Sequence, residues 1–189
     1  MEGGGGSLVL VVGPSGVGKD TLISGAREAL RGDPGFVFVK RIVTRHADTQ
    51  AEDHDSLDVA SFDQAEAAGH FSLSWRAHGL RYALPGSVAS DVARGRIVVA
   101  NGSRHVVGDA MARFARCRVM LITAEMTLRA ERLAARGRET GKEIAARLAR
   151  EGAPLPQGVE PIVVDNSGTL ASGIAAFVSA LRSLSPSRA

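Results

Sequence analysis

The part of the sequence best suited to chemistry is a glycine-rich loop that ends in a lysine. Its residues are Gly13, Pro14, Ser15, Gly16, Val17, Gly18 and Lys19, followed by Asp20 and Thr21. An apolar run at residues 8–12 precedes the loop, and a helical pattern follows it. Strand, loop, lysine and helix in this order are typical of a Walker A phosphate loop, in which backbone N–H groups and a helix N-terminus bind phosphates. We therefore predict that residues 13–21 bind ATP and that Lys19 contacts the β- and γ-phosphoryl oxygens during phosphoryl transfer.

Asp20 departs from the usual pattern of such loops. The residue after the lysine is ordinarily Ser or Thr, whose hydroxyl binds Mg²⁺. A carboxylate is a stronger hard-oxygen ligand than a hydroxyl, so we predict that Asp20 binds magnesium. Asn101 follows the apolar run at residues 97–100, where a Walker B aspartate is expected. Our hypothesis is that the carboxylate near the metal has moved from the strand tip to the loop.

The elements that must position this loop alternate between short β-branched runs and helical patterns. This alternation predicts an α/β fold of the P-loop NTPase type, with a five-stranded parallel sheet flanked by helices. The predicted strands are residues 8–12, 36–40, 97–100, 118–123 and 161–164. The predicted helices are residues 21–30, 87–94, 106–114, 127–136, 142–150 and 170–184.

Two segments interrupt the alternation. Residues 41–82 form a polar, weakly patterned insertion, and residues 136–151 form an arginine-rich stretch before the last strand. In a P-loop kinase we expect an acceptor-binding insertion and a lid at such places. We predict one kinase domain over residues 8–184, with a flexible leader at 1–7 and a tail at 185–189.

Composition argues against several other classes of protein. The chain has 189 residues, a formal net charge of only +3 and 4% aromatic residues, which does not favour nucleic-acid binding. No apolar run reaches the ~18 residues that span a bilayer, so no membrane partner is predicted. Cys117 is the single cysteine, which favours a cytoplasmic setting without disulfides. The oligomeric state is left open, and a homodimer is one of the states allowed.

Beyond the phosphate loop, which many protein families share, several stretches are more specific to one family. They are Thr44-Arg45, Glu52-Asp53-His54, Leu73-Ser74-Trp75-Arg76-Ala77-His78-Gly79-Leu80, Tyr82, Asn101-Gly102-Ser103-Arg104, Arg136-Gly137-Arg138-Glu139 and Asp165-Asn166. With these residues, the chain resembles the guanylate kinase-like branch of the nucleoside monophosphate kinases. Within that branch it is most similar to the ribose 1,5-bisphosphate phosphokinases of phosphonate catabolism, over about residues 8–177.

The resemblance implies a reaction in which ATP and Mg²⁺ phosphorylate the 1-phosphate of ribose 1,5-bisphosphate, giving 5-phosphoribosyl 1-diphosphate (PRPP). The acceptor is then a small sugar bisphosphate whose phosphate oxygen is already ionised, so no general base is required. Guanylate is a poor fit as acceptor. Ser74 occupies the position at which guanylate kinases have a glutamate that accepts hydrogen bonds from guanine. Asp48 lies near the position of an arginine of guanylate kinases.

A site for a sugar bisphosphate needs several cations and hydroxyl-binding groups. Arg45, Tyr82 and Arg104 are the leading predicted acceptor residues. The remaining members of the predicted set are Arg41, Ser74, His78 and Asn101. Arg76 and Arg81 fit a solvated surface equally well. A third group includes His46, Glu52, Asp53, His54, Asp55 and Asp58. The spacing of these residues matches no standard metal-binding pattern. Two interpretations remain open: a solvated acidic loop, or contacts from Glu52 or Asp53 to the ribose hydroxyls.

The arginine-rich stretch and its surroundings are divided between two roles. We predict that Arg136, Arg138 and Arg147 are lid residues that clamp the transferring phosphate. We expect Arg129 and Arg150 to lie on exposed, salt-bridged helices. Asn166 is predicted near adenine, although an asparagine at a strand-to-loop turn is also ordinary turn chemistry.

Two other functions stay open from the residues alone. The first is a different small-molecule kinase, such as a nucleoside monophosphate kinase, on the same fold. The second is a non-catalytic guanylate kinase-like binding module. Such modules typically lose the loop lysine and the lid arginines, and both are present in this sequence.

Overall fold

A five-stranded parallel sheet forms the centre of the computed structural model, which describes residues 5–44, 54–77, 79–135, 137, 140–149 and 154–185. Its strands are β1 (Ser7–Val12), β2 (Phe36–Val39), β7 (Ile97–Asn101), β8 (Cys117–Thr123) and β9 (Ile162–Asp165). Their order across the sheet is β2-β7-β1-β8-β9, and every pairing is parallel. The predicted α/β fold with five parallel strands is therefore confirmed, with strand ends within two residues of the predicted ones.

Helices cover this sheet on both faces. Those that contribute to its two cores are α1 (Lys19–Ala29), α3 (Ser87–Ala93), α4 (Val107–Arg113) and α7 (Leu170–Arg182). Helices α5 (Met126–Ala134) and α6 (Gly141–Ala149) pack on each other after β8, and α2 (Val59–Ala67) lies in the insertion. No described helix is both long and apolar enough to cross a membrane.

The central strand β1 is buried along its whole length, which explains its continuous apolar sequence. Alternate side chains of β1 enter two separate cores. Val9 and Val11 pack with residues of α1 and α7, whereas Leu8, Leu10 and Val12 pack with residues of α3, α4 and the segment 71–85. The two cores fix the end of β1 and therefore the start of the phosphate loop.

The predicted insertion contains a second, four-stranded sheet. Its strands are β3 (Arg41–Val43), β4 (His54–Ser56), β5 (Phe71–Ala77) and β6 (Leu80–Pro85), in the order β4-β3-β6-β5. Leu73, Trp75 and Leu84 attach this sheet to the core on one face of β1. The sheet extends to Pro85, three residues beyond the predicted end of the insertion at residue 82.

Asp58 is the N-cap of helix α2, which precedes β5 of the second sheet. Its side chain accepts hydrogen bonds from the backbone N–H of Ser61 at 2.9 Å and from the Ser61 hydroxyl at 2.6 Å. These contacts satisfy a free N–H of the first helical turn and lower the pKa of the Asp58 carboxyl. Asp58 therefore has a structural role, and the part of the acidic cluster at residues 45–53 lies outside the described residues. No group of metal-ligating side chains is found among the residues that are described.

Candidate active site

The phosphate loop turns tightly between the end of β1 and the start of α1. Gly16 and Gly18 have φ angles of 82° and 87°, a conformation that side chains with a Cβ rarely adopt. Gly18 is also the N-cap of α1, so the loop leads directly into the positive end of the helix. The sequence prediction of a strand, loop and helix in this order is confirmed.

Lys19 is the first residue of α1, and its side chain folds back over the loop. The Nζ atom donates hydrogen bonds to the carbonyl oxygens of Gly13 at 2.8 Å and of Pro14 at 3.3 Å. The ammonium is thus held next to the first two residues of the loop. In a phosphate loop the lysine ammonium and the backbone N–H groups bind the phosphates together.

Asp20 and Asn101 meet although 81 positions separate them in the chain. The Asn101 Nδ2 donates a hydrogen bond of 2.6 Å to the Asp20 Oδ1. Asn101 ends β7, the strand next to β1, and its side chain is buried. Its Oδ1 is also buried and has no hydrogen-bond partner among the described residues. A carboxylate held beside a free carbonyl oxygen is the donor set that Mg²⁺ prefers, so these residues fit the predicted metal.

Asn166 supports the loop from behind. It follows β9, is almost fully buried, and its Nδ2 donates a hydrogen bond of 2.8 Å to the carbonyl oxygen of Val17. A Cβ at Gly18 would lie 2.7 Å from that Nδ2, so only glycine fits there without displacing Asn166. Arg132 on α5 donates to the backbone carbonyl of Asn166 at 2.9 Å. The predicted contact of Asn166 with adenine stays a prediction, but its side chain is engaged with the loop.

Arg129 does not lie on an exposed, salt-bridged helix face, and that expectation was wrong. The residue is 9% exposed, and its Nε donates a hydrogen bond of 3.0 Å to the carbonyl oxygen of Ser15 in the loop. Burial lowers the pKa of the Arg129 guanidinium, and the nearby positive charge of Arg104 lowers it further. The cause is the direction in which α5 packs, since the first turn of this helix faces the loop.

A second arginine reaches the same loop residue. Arg147 on α6 donates a hydrogen bond of 3.2 Å from Nη2 to the Ser15 hydroxyl. Of the three predicted lid arginines, Arg147 is thus at the phosphate loop, whereas Arg136 and Arg138 lie outside the described residues. Arg150, which was expected on an exposed helix, also lies outside them.

Arg104 and Asn101 lie at the same edge of the sheet as the phosphate loop. Arg104 starts a short 3₁₀ helix directly after β7, and Ser103 caps this helix by accepting a hydrogen bond of 3.3 Å from the His105 N–H. Because the sheet is parallel, the ends of β7, β1 and β8 lie side by side. The segments that carry Arg104, the loop and Arg129 therefore follow three neighbouring strands, β7, β1 and β8.

The second sheet brings together two of the predicted acceptor residues, Arg41 and Tyr82. The Tyr82 ring stacks on Trp75, with centroids 5.4 Å apart and 11° between the planes. The Arg41 guanidinium lies 5.3 Å from the centroid of the Tyr82 ring. This cation–π contact holds a positive charge on a rigid aromatic stack. Arg45 and His78, the other predicted acceptor residues of this region, lie outside the described residues.

Ser74 is not on the same face of the sheet as Tyr82. Trp75 is paired with Tyr82 across β5 and β6, and neighbouring residues of a strand point to opposite faces. The Ser74 hydroxyl instead donates a hydrogen bond of 2.5 Å to Glu66 on α2. Glu66 also forms an ion pair of 3.3 Å with Arg76, and Arg81 pairs with Asp63. Arg76 and Arg81 thus have partners on α2, and Glu66 is a carboxylate of this region that sequence reasoning missed.

The architecture and the loop together define the class of protein. The fold is similar to that of a guanylate kinase from Anaplasma phagocytophilum, with a TM-score of 0.69 and 15% identity over 97% of this chain and 88% of the other. It is also similar to a gluconokinase from Sinorhizobium meliloti, with a TM-score of 0.54 and 16% identity over 95% and 93%. The chain thus has a P-loop kinase fold of the guanylate kinase-like type.

Sequence relatives narrow the class to a family. A ribose 1,5-bisphosphate phosphokinase PhnN of Methylobacterium radiotolerans is 50% identical over 177 residues, covering 94% of this chain and 98% of the relative. The PhnN protein of Brucella melitensis is 47% identical over 173 residues, covering 92% and 90%. The chain belongs to the ribose 1,5-bisphosphate phosphokinase family, as the resemblance indicated.

One further relative is longer. A bifunctional ribose 1,5-bisphosphokinase-thymidine phosphorylase of Cupriavidus necator is 49% identical over 177 residues, which cover 94% of this chain but only 29% of that protein. No protein-family model matches the chain.

Proposed function

We propose that this protein transfers the terminal phosphoryl group of ATP to the 1-phosphate of ribose 1,5-bisphosphate, producing PRPP and ADP. The observation that carries this proposal is the loop of residues 13–20, with the Lys19 ammonium bonded to loop carbonyls and two arginines bonded to Ser15. Membership of the phosphokinase family supports the choice of acceptor.

The reaction needs alignment and charge neutralisation more than acid–base chemistry. The bond between the γ-phosphorus and the bridging oxygen breaks, and its electron pair stays on ADP. A new bond forms from the γ-phosphorus to an oxygen of the acceptor 1-phosphate. That oxygen is already ionised near neutral pH, so no proton has to be removed.

The loop and its neighbours bind the nucleotide in this proposal. The backbone N–H groups of residues 13–20 surround the phosphates, and Lys19 exchanges its carbonyl partners for β- and γ-phosphoryl oxygens. Asn166 holds the loop in shape and lies toward the adenine side. Asp20, oriented by Asn101, holds magnesium, which when bound neutralises charge on the phosphate chain.

The second sheet and the strand tip supply the acceptor contacts. Arg41 and Arg104 provide positive charge for phosphates, and Tyr82 presents a rigid ring beside Arg41. Arg45 and His78 belong to the same proposed group, and Ser74 acts through its bond to Glu66. Arg136, Arg138 and Arg147 close over the transferring group as lid residues, with Arg147 already at Ser15. A cytoplasmic setting accords with the single cysteine of the sequence.

A product assay tests the function directly. The protein is incubated with ATP, Mg²⁺ and ribose 1,5-bisphosphate, and ³¹P NMR follows the coupled phosphorus signals of the new diphosphate. We expect PRPP and ADP in equal amounts, and a loss of about 10³-fold or more in rate for Lys19→Ala. Parallel reactions with GMP and AMP as acceptors provide the comparison. Faster turnover of GMP than of ribose 1,5-bisphosphate would identify the protein as a nucleoside monophosphate kinase instead.

A further inference from the structure

Arg129 contacts the phosphate loop but is not among the residues assigned to ATP or acceptor binding in the proposed function. It lies in the first turn of α5, and the helix packs directly on the phosphate loop. A Cβ at Gly16 would come within 2.8 Å of the Arg129 carbonyl oxygen, so the backbones of the helix and the loop are in close contact. The Nε of Arg129 donates to the Ser15 carbonyl at 3.0 Å. The direction of its side chain is therefore fixed by the loop itself.

Most of the hydrogen-bonding capacity of Arg129 is unused by the protein. A guanidinium has five N–H donors, and the bond to Ser15 uses only the one on Nε. Its two terminal nitrogens have neither a hydrogen-bond acceptor nor a carboxylate partner within the described parts of the chain. Arg129 as a whole residue is 9% exposed, so water solvates this charge only in part and an anionic partner would stabilise it. The group that would pair with Arg129 is therefore one that the described residues do not supply.

Charges around Arg129 indicate the sign of that missing partner. Burial is the larger cause of the lowered pKa of Arg129, and the positive charge of nearby Arg104 lowers that pKa further. Arg104 follows β7 and Arg129 follows β8, on either side of the loop that follows β1. Arg147 contacts the Ser15 hydroxyl from α6. Two arginines thus contact one loop residue and a third lies near Arg129, and an anion at this point would relieve their repulsion.

We propose that Arg129 is a further catalytic residue, whose terminal nitrogens bind the γ-phosphoryl group of ATP while its Nε holds the Ser15 carbonyl. The inference rests on the proposed use of ATP. The γ-phosphoryl group is favoured over the acceptor phosphate because Arg129 is anchored to the loop that binds the β- and γ-phosphates. The planar guanidinium can hold the loop backbone on one side and two phosphoryl oxygens on another, which a lysine cannot do.

The test compares ATP with ADP, because only ATP carries the group that Arg129 is proposed to bind. Binding of each nucleotide to wild type, Arg129→Gln and Arg129→Lys is measured by calorimetry with Mg²⁺ and without acceptor. We expect Arg129→Gln to weaken ATP binding by about 10- to 100-fold, as for lost charge-assisted hydrogen bonds, and ADP binding by less than about 3-fold. The ATP affinity of Arg129→Lys should lie between those of wild type and Arg129→Gln, since lysine keeps the charge but loses the planar pair of N–H donors.

Kinetics and a matched control complete the experiment. With ribose 1,5-bisphosphate as acceptor, kcat of Arg129→Gln should fall by about 10²- to 10³-fold. Arg113→Gln, at an exposed arginine on α4, should match wild type in every measurement. Equal weakening of ATP and ADP would overturn the proposal, because it would mean that Arg129 only supports the loop. Unchanged ATP binding with unchanged kcat would overturn it as well.

The two proposals can fail separately. If wild type binds ATP but forms no PRPP, the proposed acceptor is wrong, whereas the ATP and ADP comparison still decides the role of Arg129. Retained ADP binding shows that a variant is folded. If Arg129→Gln does not fold, the comparison is made with Arg129→Lys, for which a smaller preference for ATP over ADP than in wild type is expected and an unchanged preference would overturn the proposal.

Discussion

Asp20 and Asn101 both differ from the residues usual at their positions in phosphate-loop enzymes, and the two differences are physically connected. A hydroxyl normally follows the loop lysine, and an aspartate normally ends the neighbouring strand. In this protein the carboxylate is on the loop and the amide is on the strand, and the two are hydrogen-bonded at 2.6 Å. Asn101 therefore restricts the orientation of Asp20, as an outer partner does for a metal ligand.

The first residue-scale prediction concerns this pair. Asp20→Ala should raise the Mg²⁺ concentration needed for half-maximal ATP binding by about 100-fold, because the proposed ligand is removed. Asn101→Ala should raise it by about 10-fold, because the carboxylate ligand remains but loses its orienting amide and the neighbouring carbonyl oxygen. Calorimetric ATP binding across a Mg²⁺ titration measures both values. Small and equal effects would show that the carboxylate does not hold the metal.

An exchange of the two side chains gives a sharper control for the same pair. The double variant Asp20→Thr with Asn101→Asp restores the usual hydroxyl on the loop and carboxylate on the strand. It should recover most of the Mg²⁺ dependence that Asp20→Thr alone loses. No recovery would mean that the two positions do not share one metal site.

Residue type and spacing were sufficient to predict the loop and Lys19, and the match to a kinase lid selected Arg147, but neither predicted the contact of Arg129 with the loop. The loop is local in sequence, so its glycines and lysine can be recognised without knowing what packs on it. Arg129 stands among other charged residues in a helical pattern, and such a pattern looks the same for a solvated face and a buried one. Only the packing of α5 on Gly16 separates the two.

At the scale of elements, the phosphate loop keeps its shape because neighbouring elements hold its carbonyl groups. Asn166 after β9 binds the Val17 carbonyl, and Arg129 on α5 binds the Ser15 carbonyl. Arg132 on α5 then binds the carbonyl of Asn166, which connects the two supports. Carbonyls engaged from outside leave the N–H groups of the loop to face the ligand.

The element-scale prediction is that Asn166→Ala destabilises the loop and weakens nucleotide binding. Loss of the buried bond to the Val17 carbonyl should lower the free energy of unfolding by about 1–3 kcal/mol, measured by urea denaturation. ATP and ADP should both bind more weakly, by similar factors, since the loop serves both. Thr127→Ala, at an exposed site on α5, is the control and should match wild type. Weakening of ATP alone would argue against a structural role for Asn166.

The second sheet was not predicted, and the reason lies in its strand lengths and pairings. β3 and β4 have three residues each, which is too short for an alternating pattern to emerge. β3 pairs with β6, about forty positions later, and no local pattern reports such a contact. β5 did carry a signal, because Phe71, Leu73 and Trp75 alternate with polar residues in the manner of a half-buried strand. The length of the surrounding polar stretch concealed it.

At the scale of the whole molecule, the carboxyl ends of the parallel strands carry the candidate site and the amino ends do not. The loop, Asn101 and Arg104 lie at the carboxyl ends of the strands, where ligand sites of open α/β sheets are found. Cys117 is the first residue of β8 and therefore lies at the amino ends, across the sheet from the loop. Burial raises the pKa of the Cys117 thiol from 9.0 to about 11, although the nearby Arg118 lowers it slightly.

The whole-molecule prediction uses this thiol to follow the folded state. At pH 8 a thiol with a pKa of about 11 is about 100-fold less ionised than one with a pKa of 9.0, and only the thiolate reacts with iodoacetamide. Alkylation should therefore be about 100-fold slower in native protein than in urea, with a native pH midpoint near 11. Folding favours the neutral thiol, so this contribution to stability is complete below pH 9 and is lost as the pH rises to about 11. Cys117→Ala should show neither labelling nor this loss of stability, and equal native and denatured rates in wild type would contradict the prediction.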